Sequence, residues 1–291
     1  LQSLRRHRPE RIFCGHLYHL PLAIGLGEWL DAPVWLQLHG VEAWRRPHQA
    51  MRHLVRRVSL ITCVSRYTRQ RFLDWAPVDP ERIKVLPNTV RPARSGIDAE
   101  ALRRTLGAPS GPLLLTVGRV AADEQYKGHE QIISCLPSLL KRYPDMAYLI
   151  AGEGDDYGRL RRWAEQCGVT DRIIFLGAVS SARLNGLYAL ADLFVMPSRG
   201  EGFGIVFLEA MAAGTPALGL YGDGSIDPLQ EGALGYLAHE GNLCARIEQA
   251  LATPPAEDLA QQTLATFGVE PFTDHVQRVA RRWLAERNAW I

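Results

Sequence analysis

Short apolar runs alternate along this chain with longer segments in which apolar residues recur every three or four positions. The short runs predict buried strands and the longer segments predict amphipathic helices. In the first third, strands are predicted at 11–15, 34–38, 60–64 and 83–86, and helices at 20–29, 47–58 and 66–75, the last capped by Ser65. Continuous apolar strands that alternate with helices are typical of a parallel α/β sheet.

The composition changes at 91–111, where segments rich in Pro, Gly and Ser lie on either side of a predicted short helix, and this predicts a domain boundary near residue 95. A second α/β series follows and predicts a complete doubly wound sheet, which would bind ligands beyond the carboxyl ends of its strands. We therefore expect one domain at 1–95, a second at 96–268 and a final helical segment at 269–291. The predicted strands are 113–117, 147–151, 173–176, 193–196, 216–220 and a short edge strand at 236–237, and the predicted helices are 129–142, 159–167, 181–189, 205–213, 243–251 and 272–287.

The composition is that of a globular protein, with 291 residues, 47% hydrophobic and 22% charged. This excludes a disordered tail, a collagen and a coiled-coil rod. No apolar run reaches the roughly 18 residues that span a bilayer, and no signal-peptide pattern opens the chain. The cysteines show no Cys-x-x-Cys pair, so we expect small buried side chains rather than a disulfide scaffold or a zinc site. They are Cys14, Cys63, Cys135, Cys167 and Cys244.

The net charge is only +2, but its distribution is uneven. Residues 1–95 contain 16 Lys and Arg against 7 Asp and Glu, whereas the rest contain 17 against 24. Residues 42–71 alone contain eight arginines and one acid, which favours an anionic partner. No helix-turn-helix, zinc-finger or RNP-like pattern accompanies this charge, so a nucleic acid is not expected. The positive charge of residues 45–71 would also fit an anionic membrane face or a phosphate-bearing acceptor.

The strongest motif is the glycine-rich loop from Pro197 into a helix predicted to begin near Ile205. Free amides and the dipole at a helix start form an anion site. Glu201 lies in the loop, and Glu209 lies about one turn inside the helix. Two carboxylates on either side of a phosphate site can bind hydroxyls at both ends of a diphosphate. The motif therefore favours a nucleotide sugar, with ribose hydroxyls at one end and hexose hydroxyls at the other.

Two earlier strand ends support this interpretation. Arg119 follows one strand, and Lys127 follows eight residues later in a chain that has only three lysines. A guanidinium and an ammonium at one strand end suit a diphosphate. The next strand ends at Gly152-Glu153-Gly154, where glycine would permit a ligand to approach closely. This segment is not the Gly-x-Gly-x-x-Gly of a dinucleotide fold.

In order and spacing, these motifs resemble those of the retaining glycosyltransferases of family GT4. The resemblance implies the GT-B architecture, an α/β fold of two Rossmann-like, doubly wound parallel-sheet domains that face each other across a cleft. In the first domain it rests on Leu38-His39-Gly40, Val64-Ser65 and Pro87-Asn88. In the second it rests on Val117-Gly118-Arg119, Lys127-Gly128, Ala151-Gly152-Glu153-Gly154, Phe175-Leu176-Gly177, Ala191-Asp192, Pro197-Ser198, Glu201 with Glu209, and Ala210-Met211-Ala212-Ala213-Gly214-Thr215-Pro216.

The resemblance also implies roles. The catalytic residues would be His39, near the reacting carbon of the donor sugar; Arg119 and Lys127, on the donor pyrophosphate; and Glu201, on donor-sugar hydroxyls. Glu209 would bind the ribose. The other donor-binding residues would be Gly118, Gly128, Gly152 and Gly202, the amides of Phe203 and Gly204 near the sugar and of Ile205 and Val206 on phosphate, and Val179 in the loop that borders the nucleobase.

The predicted function is a retaining, metal-independent hexosyltransferase with no cofactor. It would move a sugar from a UDP- or GDP-linked donor to a glycan, a lipid-linked acceptor or a polysaccharide precursor, in the cytoplasm or peripherally at the inner face of the membrane. The second domain has no Asp-x-Asp, which a metal-dependent transferase of the other fold would use. At 221–228, Tyr-Gly-Asp-Gly-Ser-Ile-Asp-Pro departs from the family's Gly-Gly-x-x-Glu type segment, so the donor sugar stays open.

Two alternatives remain. One is another enzyme on the same architecture, either a nucleotide-sugar epimerase or a glycogen-synthase-like transferase. The other is a donor-binding remnant without transfer activity. The chain begins at Leu1, and only four predicted strands precede the second domain. A GT-B first domain usually begins with a strand, a glycine-rich loop and a helix, so we expect the N-terminal part of this domain to be missing from the chain as written.

Overall fold

The computed structural model describes residues 9–92 and 98–285. The chain folds into two compact units. The described parts of Leu1–Asn88, Glu201–Phe203 and Glu270–Ile291 form the first, and those of Thr89–Gly200 and Gly204–Val269 form the second. The boundary predicted near residue 95 lies outside the described residues, as do positions 286 and 287 of the last predicted helix. The domain bounds therefore stay a prediction.

The first unit contains a four-stranded parallel sheet in the order β1-β2-β3-β4. Helices follow the strands as the alternating pattern predicts, and the Ser65 side chain accepts a hydrogen bond from the amide of Thr68, which confirms the predicted N-cap. The strands are β1 Ile12–Cys14, β2 Val34–Leu38, β3 Leu60–Cys63 and β4 Ile83–Val85. The helices are α1 Leu20–Leu30, α2 Val41–Trp44, α3 Gln49–Val55 and α4 Arg66–Leu73, with α12 Val269–Ala285 at the end of the chain.

The two faces of this sheet are covered by different parts of the chain. Leu36, Leu38 and Ile61 pack into a core with the helices that follow the strands. On the other face, Trp35 and Leu60 pack against Trp283 of α12. The indole nitrogen of Trp283 donates to the hydroxyl oxygen of Ser59 at 2.9 Å, which fixes the last helix against the sheet.

The second unit contains a six-stranded parallel sheet in the order β10-β9-β8-β5-β6-β7. The chain leaves β5 towards one edge and returns to its other side at β8, so the strand order reverses between β5 and β8. The strands are β5 Leu113–Val117, β6 Ala147–Ala151, β7 Ile173–Gly177, β8 Leu193–Val195, β9 Ala217–Leu220 and β10 Tyr236–Ala238. The helices are α5 Ala99–Leu106, α6 His129–Leu139, α7 Tyr157–Gln166, α8 Ser181–Leu190, α9 Ile205–Ala212, α10 Leu243–Ala252 and α11 Leu259–Phe267.

One helix of the second unit, α11, is absent from the predicted set. It buries Leu259, Thr263 and Phe267. Threonine occupies the middle core position and satisfies its hydroxyl by donating to the carbonyl of Leu259 at 2.7 Å. A helix prediction needs an apolar residue at position 263, and the polar threonine there interrupts the apolar repeat. No helix among the described residues is long and apolar enough to cross a membrane.

The cysteine prediction is wrong at two positions. Cys135 on α6 and Cys244 on α10 form a disulfide, with their Cα atoms 5.2 Å apart. The two residues are 109 positions apart in sequence, and only the packing of α6 beside α10 brings them together. Cys14 and Cys63 are buried free thiols, as expected, whereas the free thiol of Cys167 is partly exposed.

Candidate functional site

The loops that follow β5 and β8 meet where the strand order reverses. Ligands of open α/β sheets bind outside the carboxyl ends of the strands at this kind of point. The amide of Arg199 donates to the carbonyl of Tyr126 at 2.9 Å, which ties the two loops together. Gly128 has φ +81°, and a Cβ there would lie 2.6 Å from the carbonyl oxygen of Pro197. Glycine is therefore required where the loops touch.

The two predicted phosphate-binding cations converge in the β5 loop on a carboxylate that the motif analysis does not identify. Glu124 forms ion pairs with both Arg119 and Lys127. The side chains of Lys127 and Glu124 are only 9% and 7% exposed, whereas that of Arg119 is 75% exposed. Glu124 therefore holds Lys127 in place and leaves Arg119 accessible. The only sequence signal is an acid three residues before a rare lysine.

The helix start predicted after the glycine-rich loop is present in the structure. Gly204 has φ +85° and supplies no side chain to cap the helix, which begins at Ile205 as predicted. The first amides of α9 have no side-chain cap among the described residues. Such amides point outward along the helix axis and carry partial positive charge. The carboxyl end of β8 therefore presents hydrogen-bond donors for an anion.

Glu209 on α9 is held by a tyrosine that the sequence analysis also misses. The hydroxyl of Tyr188 donates to Oε2 of Glu209 at 2.7 Å. Burial, together with the adjacent Glu209 carboxylate, raises the pKa of Tyr188 well above its usual value, so the phenol stays a donor. One carboxylate oxygen of Glu209 is thereby oriented, and Oε1 can accept from a ligand hydroxyl. Nothing in the spacing of Tyr188 and Glu209 marks them as a pair.

The remaining predicted residues of the second unit lie at the carboxyl ends of β5, β6 and β7. Gly118 and Gly152 follow β5 and β6, and a Cβ on Gly152 would lie 1.8 Å from the carbonyl oxygen of Gly118. The structure thus requires glycine at 152 because two backbones touch there. Val179 lies beyond β7, directly before Ser180, which caps α8. Because all of these strands are parallel, their carboxyl ends share one edge of the sheet.

The other predicted residues belong to the first unit: His39, Glu201, Gly202 and Phe203. His39 is exposed at the end of β2, and its Nε2 lies 2.8 Å from the carbonyl oxygen of Gly15. A carbonyl only accepts, so Nε2 carries the proton and a neutral imidazole has Nδ1 as its acceptor. The backbone amide of His39 donates to Oε1 of Glu42 at 2.6 Å.

The segment 201–203 is held in place through a hydrogen bond to its own backbone. The Ser65 hydroxyl donates to the carbonyl of Gly202 at 2.6 Å, and Phe203 is buried. Ser65 therefore both caps α4 and anchors this loop.

Among the described residues, no group of three or more His, Cys, Asp or Glu side chains could hold a metal ion.

Two α/β units, each built on a parallel sheet, match the GT-B architecture that the sequence predicts, and comparison with known families agrees. Residues 98–263 match the family model "Glycosyl transferases group 1", and residues 1–94 match "Glycosyltransferase Family 4". The chain belongs to the group 1 glycosyltransferase family, which confirms the predicted family.

Among the most similar curated proteins is the GDP-mannose-dependent alpha-(1-6)-phosphatidylinositol monomannoside mannosyltransferase of Mycobacterium tuberculosis. It is 33% identical over 229 residues, which cover 74% of this chain and 58% of that protein. The 2-deoxystreptamine glucosyltransferase of Streptomyces kanamyceticus is 28% identical over 84% of this chain and 58% of that protein. The matches thus cover somewhat more than half the length of these relatives.

A solved structure similar to this one is Anabaena Alr3699/HepE in complex with UDP. Its TM-score is 0.81 at 21% identity, and the match covers 97% of this chain and 81% of that one. The lipopolysaccharide outer core galactosyltransferase WaaB in its apo form has a TM-score of 0.76 at 16% identity, over 97% and 78%. These similarities confirm the predicted GT-B fold.

Proposed function

We propose that this chain is the sugar-transferring part of a glycosyltransferase that uses a nucleotide-diphosphate sugar. The observation that supports this most strongly is the set of groups at the reversal point of the second sheet. Lys127 and Arg119 provide positive charge, the start of α9 provides amides, and Tyr188 orients the Glu209 carboxylate. A nucleoside diphosphate needs these groups: cations and amides for its phosphates, and a fixed acceptor for its ribose hydroxyls.

In this proposal, the pyrophosphate lies against Arg119, Lys127 and the amides of Ile205 and Val206. Gly118, Gly128 and Gly152 allow the loop backbones to come close to it, and Val179 borders the base. Cations and helix amides stabilise the negative charge that develops on the leaving diphosphate. Glu124 already pairs with both cations, so the phosphates must compete with it for Arg119, the more exposed of the two.

The donor sugar is proposed to contact Glu201 and Gly202 and the amides of Phe203 and Gly204, with His39 near the anomeric carbon. The Nδ1 atom of His39 would accept from a sugar hydroxyl, because Nε2 is used by Gly15. In a retaining transfer, the acceptor oxygen bonds to the anomeric carbon on the face that the diphosphate leaves. The acceptor proton passes to the departing phosphate oxygen, so no cofactor is needed.

The nucleotide can be tested by thermal shift. A ligand that binds only the folded chain raises the melting temperature by linkage. We expect GDP, UDP or one of their sugars to do so, since one relative is named for GDP-mannose and one structural neighbour holds UDP. Glu209→Gln should abolish the shift, whereas Glu165→Gln, at an exposed position of α7, should not. A panel without any shift would overturn the proposal.

Activity is tested by incubating the donor with and without glycan and lipid-linked acceptors. Sugar transfer that needs an acceptor, with retained anomeric configuration by NMR, supports a retaining transferase. Conversion of the donor sugar in the absence of an acceptor would instead indicate an epimerase. Binding of donor without conversion under any condition would indicate a donor-binding remnant.

We further propose that the basic segment 45–71 meets an anionic membrane face or a phosphate-bearing lipid acceptor at the cytoplasmic side. Arg45, Arg46 and Arg56 are exposed, whereas Arg57 is paired with Glu28 and Arg52 donates to the carbonyl of Trp75. Arg66 and Arg71 are exposed as well, so these five arginines provide the accessible charge. Replacing them with glutamine should weaken low-salt binding to anionic liposomes, and high salt should weaken it too. Unchanged binding would remove this part of the proposal.

A further inference from the structure

A pocket of about 550 Å³ lies in the first unit, between the edge strand β4 and the helix α12. Its volume is in the range of small-molecule sites. No residue predicted to bind the donor lines it. Leu60, Val85, Val279 and Trp283 provide apolar surface. The Trp283 ring is fixed by its hydrogen bond to Ser59 and by an edge contact with Trp35, so this side of the pocket is built from an ordered core.

The polar side of the pocket is strongly basic. His275, Arg278 and Arg282 share one face of α12 at helical spacing, Lys84 approaches from β4, and Arg82 lies directly before that strand. The one acid in the lining, Glu81, is exposed and pairs with Lys84 at 3.5 Å. The lining therefore contains four cationic side chains and a histidine against one carboxylate, although Arg82 and Arg282 also make contacts of their own.

Two observations indicate that the charge of Arg278 is available to a ligand. Arg278 is exposed and makes no hydrogen bond or ion pair with any other residue that the structure describes. Burial, and then the positive charge of Arg278, lower the pKa of His275. Arg278 is therefore close enough to His275 for its positive charge to disfavour the imidazolium, and an anion placed between the two would relieve this repulsion.

We propose that this pocket binds an amphiphilic phosphate ester, with the phosphate between Arg278 and Lys84 and its hydrocarbon over Val279 and Trp283. An inorganic anion would leave the apolar surface in water, and a neutral apolar molecule would bury cations without a partner. Arginine forms paired hydrogen bonds to phosphate oxygens, which favours a phosphate over a diffuse negative charge. The site does not depend on the proposed sugar transfer.

The test uses the whole chain and calorimetric titration with dihexanoyl phosphatidic acid below its micelle concentration. Dihexanoyl phosphatidylcholine has the same chains without net charge, and inorganic phosphate has the charge without the chains. We expect phosphatidic acid to bind at least about tenfold more tightly than either. Phosphatidylcholine would lose one good charged contact, and inorganic phosphate would lose the burial of the hydrocarbon chains. Equal binding of phosphatidylcholine, or of inorganic phosphate, would overturn the proposal.

Variants locate the binding. Arg278→Gln should weaken phosphatidic acid binding about tenfold. The matched control, Arg281→Gln, changes a neighbouring exposed arginine of α12 that does not line the pocket. Both side chains are exposed, so the melting temperature should stay unchanged. Equal effects of the two substitutions would contradict the site. Titration of the His275 ring by NMR should show a higher pKa with phosphatidic acid bound, and an unchanged titration would also contradict it.

Discussion

The two parallel sheets of this protein differ in how the charge at their strand ends is held. In the second unit, Lys127 and Glu124 are buried as an ion pair, and the Glu209 carboxylate is oriented by a buried tyrosine. In the first unit, His39 is exposed, and half of the arginines of residues 42–71 lie in α3 and α4 and half in the segments beside the helices. The second unit thus holds these charged side chains in fixed positions, whereas the first presents charge at its surface. Substitutions should therefore change stability in the second unit and mainly binding in the first.

The largest effect is expected from Lys127→Ala. It would leave the buried Glu124 carboxylate with Arg119 as its partner, which is largely exposed. Breaking a buried pair by removing one partner costs about 3–5 kcal/mol, and the remaining contact should place this case near the lower end. Urea unfolding measures the loss, with the exposed Lys141→Ala as the control. Equal stability of the two variants would show that the pair is not structural.

The disulfide between Cys135 and Cys244 should contribute the next largest effect. Closing a loop of this length restricts the unfolded chain and typically stabilises by about 2–4 kcal/mol. We expect a reducing agent to lower the melting temperature of the wild-type chain and to leave a Cys135→Ala/Cys244→Ala variant unaffected. Cys14→Ala, which removes a buried free thiol of the first unit, should keep the sensitivity to the reducing agent. A wild-type chain insensitive to reduction would contradict the predicted contribution.

His129 should make the stability of the chain depend on pH. Burial, and then the charge of Lys127, lower the pKa of His129 to about 4. The unfolded state therefore binds a proton more readily, so stability should fall as pH drops from about 6.5 to about 4, by at most about 1.4 kcal/mol per pH unit from this group. Urea unfolding at several pH values measures the slope. His129→Gln should flatten it, and an unchanged slope would assign it to other groups.

A smaller effect is expected from Tyr188→Phe. The substitution removes the hydrogen bond to Glu209 Oε2 but retains the buried ring, so the nucleotide should bind about tenfold more weakly, while the loss of stability stays near 1–2 kcal/mol. Titration with the nucleotide that gives the largest thermal shift measures this. Tyr143→Phe, at a half-buried tyrosine outside the site, is the control. Equal affinity of both variants would show that Tyr188 does not position Glu209.

The smallest effect on stability is expected from His39→Ala in the first unit. The ring is exposed and makes one hydrogen bond, to the Gly15 carbonyl, so unfolding should change by less than about 0.5 kcal/mol. Donor turnover should nevertheless fall if His39 contacts the sugar. A large loss of stability would contradict the contrast between the two units.

Much of the fold is predictable because its signals are local. The runs at 34–38, 113–117 and 147–151 form strands with the predicted bounds, and the glycine-rich loop starts a helix at Ile205. The cations Arg119 and Lys127 are also apparent as residue types after a strand. By contrast, Thr263 hides helix α11 because a buried hydroxyl does not look apolar in a sequence.

The sequence by itself determined the order of the strands and of the helices other than α2 and α11, the glycine positions at the loops and the family. These depend on residues a few positions apart, which meet through backbone geometry alone. Only the tertiary structure decided that β8 pairs beside β5, that Glu124 joins Arg119 to Lys127, that Tyr188 orients Glu209 and that Cys135 bonds to Cys244. All but the Glu124 contacts join residues 21 or more positions apart in sequence, and only the packing of whole elements brings such residues together. The pocket beside α12 arises in the same way, because its two basic sets come from 81–85 and 275–283.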